Sequence, residues 1–358
     1  MKKLFCMALS LFFACILTVS CGATRDISSF EAMNTFMTVQ VYGRGAARAN
    51  AAVKARVKTL ESYLSTTDEN SDIFMLNERS LRQKNEENAD GATDVFFAVH
   101  EETAHLAEYA LFMAEQTGGA LNPALFAVTR AWGFTTGNYR VPSDEELSGL
   151  LQTIDYNKIR VRALEQGGFG IYCAPGIQLD FGAIGKGFAG DEALSVLRAN
   201  GIQSALLDLG GNVQVLGAKP DGSDWTIGIK NPDGGSAVAA LRVRDSAVIT
   251  SGGYERFFTA DDGKNYIHIF DGTTGRPVEN DLTSVTVVTS RGVYGDALST
   301  ALFVMGSKKA CDFWRSNKNG EQFDAVFITK DGRFLYTSGL TGMLRVLAPF
   351  ADVVVVER

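Results

Sequence analysis

An α+β fold, with a mixed but largely antiparallel sheet and flanking helices, is what this sequence predicts. Two observations carry the prediction. Helical periodicity dominates the first half, whereas short strand-like runs dominate the second. Several of those runs also follow one another directly, with no crossover helix between them, as hairpins do and parallel βαβ units do not.

Taken in order, Thr35 to Tyr42 reads as a strand, and Ala46 to Leu64 as a helix with Val53, Val57, Leu60 and Leu64 on one face. Thr93 to Gln116 reads as a second helix stopped by Gly118-Gly119. A third starts after Ser143, which stands three residues before Glu146 in the spacing of a capping box. Strands are predicted at 176–181, 204–209, 213–216, 225–230, 247–251, 266–270 and 284–289, with a hairpin turn at Asp261-Asp262-Gly263-Lys264. Two helices interrupt them, one running from Gly185 to Gly201 and one from Asp296 to Met305.

The N-terminus is read as separate from the fold. Lys2 and Lys3 precede an apolar run from Leu4 to Val19, the make-up of a secretory signal. Ser20-Cys21-Gly22 at its end is similar to a lipoprotein processing site, with Cys21 as the acylated residue. The expected organisation is a signal peptide at 1–20, a lipidated tether at 21–30 and one catalytic domain at 31–358, anchored at the periplasmic face of a bacterial membrane. An ordinary signal peptide with a chance cysteine is the alternative.

Composition narrows the chemistry. The formal charge is −7, and no Lys/Arg-rich run is present, which argues against a nucleic-acid partner. Processing at Cys21 would leave Cys173 and Cys311 as the only thiols, and no Cys/His spacing suggests zinc. Any metal is therefore expected on oxygen ligands, as a hard cation such as Mg²⁺.

Four segments carry candidate chemistry. In Asp296-Ala297-Leu298-Ser299-Thr300, a carboxylate and a hydroxyl four residues apart share one helical face. They could hold a metal, or serve as a helix cap and a back-bonded threonine. In the run Leu179 to Gly187, a Gly-rich turn leads into a helix with Lys186 at its start, a place for phosphate or simply a tight turn. It lacks the Walker spacing and is not read as a Rossmann fingerprint. Val248 to Arg256 ends a strand in Thr250, Ser251 and Gly252, where a ligand could approach the backbone. His268 lies beside Asp271 at a strand end, suited to a general base or to a structural role. His100 and His105 fall on the second predicted helix, with surface roles as the default. Leu207 to Asn212 is read mainly as a structural turn.

In sequence order, TGGALNP (117–123), LDFGAIGKGFAGD (179–191), LLDLGGN (206–212), VITSGGYERFF (248–258), IHIFDGTTGRP (267–277) and DALSTALFVMG (296–306) closely resemble the ApbE family of flavin transferases, known in spirochaetes as flavin-trafficking lipoproteins. The resemblance covers about Met33 to Phe303. It implies a T-fold-related architecture, FAD as substrate, and Mg²⁺ (or Mn²⁺) held by the Ala183 carbonyl, Asp296 and Thr300. It implies cofactor contacts at Met33, Asn77, Leu121, Asp180, Ala183, Lys186, Thr250, Ser251 and Gly252, and a proton acceptor at His268. The implied reaction moves FMN from FAD onto a threonine of an Rnf- or Nqr-type redox flavoprotein bearing D-x-x-[ST]-[GA]-[AST]-T, releasing AMP; this chain has no such motif. Hydrolysis of FAD to FMN and AMP is the alternative, and Ser71 to Arg79 is the region the resemblance connects with that balance. The chain departs from the usual family pattern at Asn34, at Leu121-Asn122 and at Gly253.

Overall fold

The computed structural model describes residues 24–85, 94–318 and 320–358; the expected signal peptide, Cys21 and Thr93 lie outside them. The chain opens on a hairpin of β1 (Arg25–Ala32) and β2 (Thr35–Tyr42). Met33 and Asn34 join the strands, and both have positive φ, 50° and 57°, as a two-residue type I′ turn requires. Residues 25–30, expected within a tether, are thus part of the sheet; β1 gave no signal because it is an edge strand with little buried surface.

The helices α1 (Ala46–Leu64) and α2 (Asp72–Asn85) follow. The second predicted helix divides: β3 (Phe97–Val99) precedes α3 (Glu101–Gln116). Next come α4 (Phe126–Ala131), α5 (Asp144–Leu151), β4 (Ile159–Ala163) and β5 (Phe169–Cys173). The Ser143 hydroxyl accepts the Glu146 N–H at 3.2 Å, so the N-cap was read correctly.

The second half begins with α6 (Gly185–Ala199), β6 (Ser204–Leu209), β7 (Asn212–Leu216), β8 (Trp225–Ile229), β9 (Ala239–Val243) and β10 (Ser246–Gly252). The short strands β11 (Phe257–Thr259), β12 (Asn265–Ile267), β13 (Phe270–Asp271) and β14 (Arg276–Pro277) precede β15 (Leu282–Thr289). Then α7 (Gly292–Ser316) leads to β16 (Phe323–Thr329), β17 (Arg333–Thr337), β18 (Leu344–Val346) and β19 (Asp352–Val356).

Nine strands form the main sheet in the order β1-β2-β6-β7-β10-β15-β16-β17-β19, antiparallel throughout except for the last pair. The α+β prediction with a largely antiparallel sheet therefore holds. Both faces of the sheet are covered. On one side Met37, Val39, Val41, Leu207, Val285 and Val287 meet α1, α6 and α7 in the main core. On the other, alternate residues such as Val215, Val248, Val288 and Val326 meet the small sheet β18-β9-β8. Period-two alternation thus sorts each strand's side chains between two cores.

Candidate functional site

The segment predicted as a strand at 176–181 joins no sheet. Its backbone is satisfied by other means: Gly176 N–H reaches Ser80 O, and Asp180 N–H reaches Pro123 O. The Asn77 side chain does a strand's work for Leu179, accepting its N–H at 2.7 Å and donating to its carbonyl at 2.8 Å. Asn77 was expected at the cofactor, but its amide is committed to this backbone. Asn77→Ala would leave a buried N–H and a buried C=O unpaired, at about 1–3 kcal/mol each. A drop in thermal midpoint of several degrees is expected by calorimetry, and an unchanged midpoint would remove this role.

Asp180 then accepts the Gly182 N–H at 2.7 Å, closing the turn that starts α6. Gly185, Gly187 and Gly190 do have GxGxxG spacing, which the sequence reading did not recognise. Its physical reason here is helix packing, since no parallel strand precedes it. A Cβ on Gly187 would lie 2.2 Å from the Gly292 carbonyl oxygen, and one on Gly190 2.0 Å from the Gln214 amide nitrogen. The helices α6 and α7 therefore cross at backbone contact.

That contact places Asp296. Helix α7 begins at Gly292, four residues earlier than predicted, so Asp296 is not its own helix's cap. Its side chain is 4% exposed and accepts the Gly187 N–H of α6 at 2.8 Å. Burial pushes its carboxyl above the usual range, opposed first by Lys186 and then by that N–H. One turn on, Thr300 meets the Ser251 hydroxyl at 3.3 Å, and Ser251 also meets Ser299 at 2.8 Å.

Ser251 therefore faces α7. Thr250 does not: its hydroxyl pairs with Thr286 at 2.8 Å across β10 and β15, on the same side as Val248 and Val288. The expectation that both line one pocket fails on strand alternation. At Gly252 the space a Cβ needs is taken by the Tyr254 ring, 2.5 Å away, so this glycine serves that ring.

His268 interrupts the strand predicted at 266–270. Its backbone N–H and its Nδ1 both meet the Arg256 carbonyl, at 3.2 and 3.1 Å. A carbonyl only accepts, so Nδ1 carries the hydrogen and Nε2 keeps its lone pair. Burial lowers its pKa to about 4, helped by the charge of Arg256 and then of Lys186. Asp180 is pushed up by burial, opposed by Arg256 and Lys186. The charge of Lys186 thus favours the ionised forms of Asp296 and Asp180 and disfavours the imidazolium of His268.

Three further residues have the following surroundings. Leu121 is 3% exposed and packs in the main core, so its side chain is closed to a ligand. Met33 sits on the β1–β2 turn with its N–H on Glu61 at 2.6 Å. His100 stacks on Tyr63 at 3.6 Å and pairs with Asp72. A concavity of about 530 Å³ bounded by Phe96, Arg160 and Arg162 includes none of the residues around Lys186. No described helix is long and apolar enough to cross a membrane.

The donor chemistry fits a hard cation. A buried carboxylate with no salt bridge among the described residues lies one helical turn from a hydroxyl and meets the first turn of α6, the helix that follows Ala183. Among the described residues no three His, Cys, Asp or Glu side chains cluster to hold a metal. The set suits an ion that takes its remaining oxygens from water or a phosphate-bearing ligand.

The fold is thus an α+β scaffold that brings oxygen donors together at Asp296, Ser251 and Thr300 and leaves His268 Nε2 with its lone pair. The sequence model of the ApbE family matches residues 33–327, and the chain belongs to that family. A protein of Treponema pallidum named FAD:protein FMN transferase is 36% identical, covering 92% of each chain. One of that name from Salmonella typhimurium is 27% identical over 93% of this chain and 94% of its own. Among solved structures, the ApbE protein of Thermotoga maritima superposes with a TM-score of 0.79 at 29% identity, covering 90% of this chain and all of that one. The flavin transferase ApbE of Vibrio cholerae gives 0.75 at 25% identity, covering 90% and 99%.

Proposed function

We propose that this chain is a FAD:protein FMN transferase that attaches FMN through a phosphoester bond to a threonine of an acceptor flavoprotein. Its membership of the ApbE family supports the activity, and the buried Asp296 carboxylate, held on the Gly187 N–H one helical turn before Thr300, carries the assignment of the site. Asp296, Thr300 and the Ala183 carbonyl would hold Mg²⁺ or Mn²⁺, which supplies Lewis-acid neutralisation of the diphosphate. His268 Nε2 takes the proton of the acceptor hydroxyl. The threonine oxygen then bonds to the FMN phosphorus, the bond from that phosphorus to the bridging oxygen breaks, and AMP leaves with that oxygen. Lys186 opposes the charge that builds on the departing phosphate.

The acceptors are flavoproteins of Rnf- or Nqr-type pumps carrying the threonine motif, met at the periplasmic face where Cys21 anchors the chain by lipid. Purified chain, FAD, Mg²⁺ and such an acceptor are expected to give a flavin-fluorescent band that survives denaturing electrophoresis. Excess EDTA should abolish it. No band with folded acceptor and metal present would sink the reading. AMP release without acceptor would identify water as a competing nucleophile, and so FAD diphosphatase activity at the same site.

A further inference from the structure

Three polar residues between α6 and α7 are unused by the chemistry above: Asp191 is half-buried, and Gln214 and Asn212 are buried. Asp191, on the second turn of α6, accepts the N–H groups of Gly292 and Val293 at 2.6 and 2.9 Å. These are the first two donors of α7, groups left without partners inside their own helix. Asp296 returns the contact, since it accepts the Gly187 N–H in the first turn of α6. Each helix therefore caps the other.

Gln214 runs between them. It is 0% exposed, and its amide donates to the Gly187 carbonyl at 3.1 Å and to Asn212 Oδ1 at 3.2 Å. A Cβ on Gly292 would lie 1.9 Å from that amide nitrogen, so α6, α7 and β7 leave it no freedom. Asn212 is 1% exposed, and its own amide nitrogen has no hydrogen-bond partner among the described residues. Its oxygen accepts from the Gln214 amide, which ties the two side chains together.

We propose that Asp191, Gln214 and Asn212 are positioning residues that fix Asp296 in the orientation a divalent cation needs. Asp191 sets the height of α7 against α6, Gln214 sets their spacing, and Asn212 holds the Gln214 amide in place. The inference rests on the metal reading of Asp296. Partners that orient a metal ligand are commonly worth about 10–100-fold in metal affinity.

The experiment titrates Mn²⁺ by EPR into the full chain with saturating ADP, which supplies a diphosphate and no flavin to transfer. Asp281→Asn is the control. Asp281 caps the second half of α7, accepting the Ser307 N–H at 3.0 Å beyond the break at Gly306, so its loss weakens the same helix far from Asp296. Both Asp191→Asn and Asp281→Asn should lower the thermal midpoint. Only Asp191→Asn should weaken Mn²⁺ binding, by about tenfold or more. Asn212→Ser, a second variant with a milder effect on folding, should weaken it in the same direction. Wild-type Mn²⁺ affinity in both variants would overturn the proposal and leave Asp191 a plain helix cap. A wild-type chain that takes up no Mn²⁺ would overturn the metal reading and this inference with it.

Discussion

Asp296→Asn is expected to abolish covalent flavin transfer while leaving the fold intact. The amide keeps an oxygen for the Gly187 N–H, so the contact between α6 and α7 survives. What disappears is the buried negative charge. A cation site loses its one anionic protein ligand, and the rate should fall on the order of a thousandfold, about 4 kcal/mol of transition-state stabilisation. Stability should move the other way or not at all, because an uncompensated buried carboxylate is costly and its neutral isostere is not. The wild-type chain should also gain about 2.7 kcal/mol from Mg²⁺ at a hundred times its dissociation constant, and the variant nothing. Calorimetry with and without Mg²⁺, run beside the flavin-band assay, separates these effects. A variant that keeps a tenth of the activity and the Mg²⁺-dependent stabilisation would remove Asp296 from the metal site.

How far this site was legible depended on the kind of contact that builds it. Asp296 and Thr300 were visible because helical spacing is local, and the capping box at Ser143 was visible for the same reason. The strands β6, β7, β8, β10 and β15 were visible as apolar runs of strand length, whereas β9 and β16 to β19 were not predicted. The start of α7 was missed because Gly292 looks like a helix stop, and only the Asp191 carboxylate, a hundred residues earlier in the chain, makes it a helix start. Segment 176–181 has the composition of a strand, yet its pairing partner is the Asn77 side chain, which no pattern in the segment announces. Asn212 ends a turn read as structural and Gln214 lies in the strand predicted at 213–216, and their burial arises from two helices distant in sequence. Thr250 and Ser251 were adjacent candidates, and alternation alone was enough to separate them; that reasoning was available in the sequence and points to Ser251.

His268→Ala is expected to cost on the order of 10²–10⁴ in rate, the usual contribution of a positioned general base. The pH profile gives the sharper test. Burial and the charges of Arg256 and Lys186 all act against the imidazolium and lower its pKa from 6.5 to about 4. The neutral, proton-accepting form therefore persists well below pH 6, and the acid limb of kcat/KM should lie nearer 4 than 6.5. The same group affects stability with a definite sign. Because its folded pKa is depressed, its contribution is complete above about 6.5 and is lost as the pH falls toward about 4, a dependence that His268→Ala should flatten. On the proposed reading, the diphosphate of bound FAD would lie near Lys186, and its negative charge would favour the imidazolium. Since kcat reports the bound complex and kcat/KM the free enzyme, the acid limb of kcat should sit at higher pH than that of kcat/KM. Coincident limbs near 6.5 would mean that the proton leaves to some group other than this buried histidine.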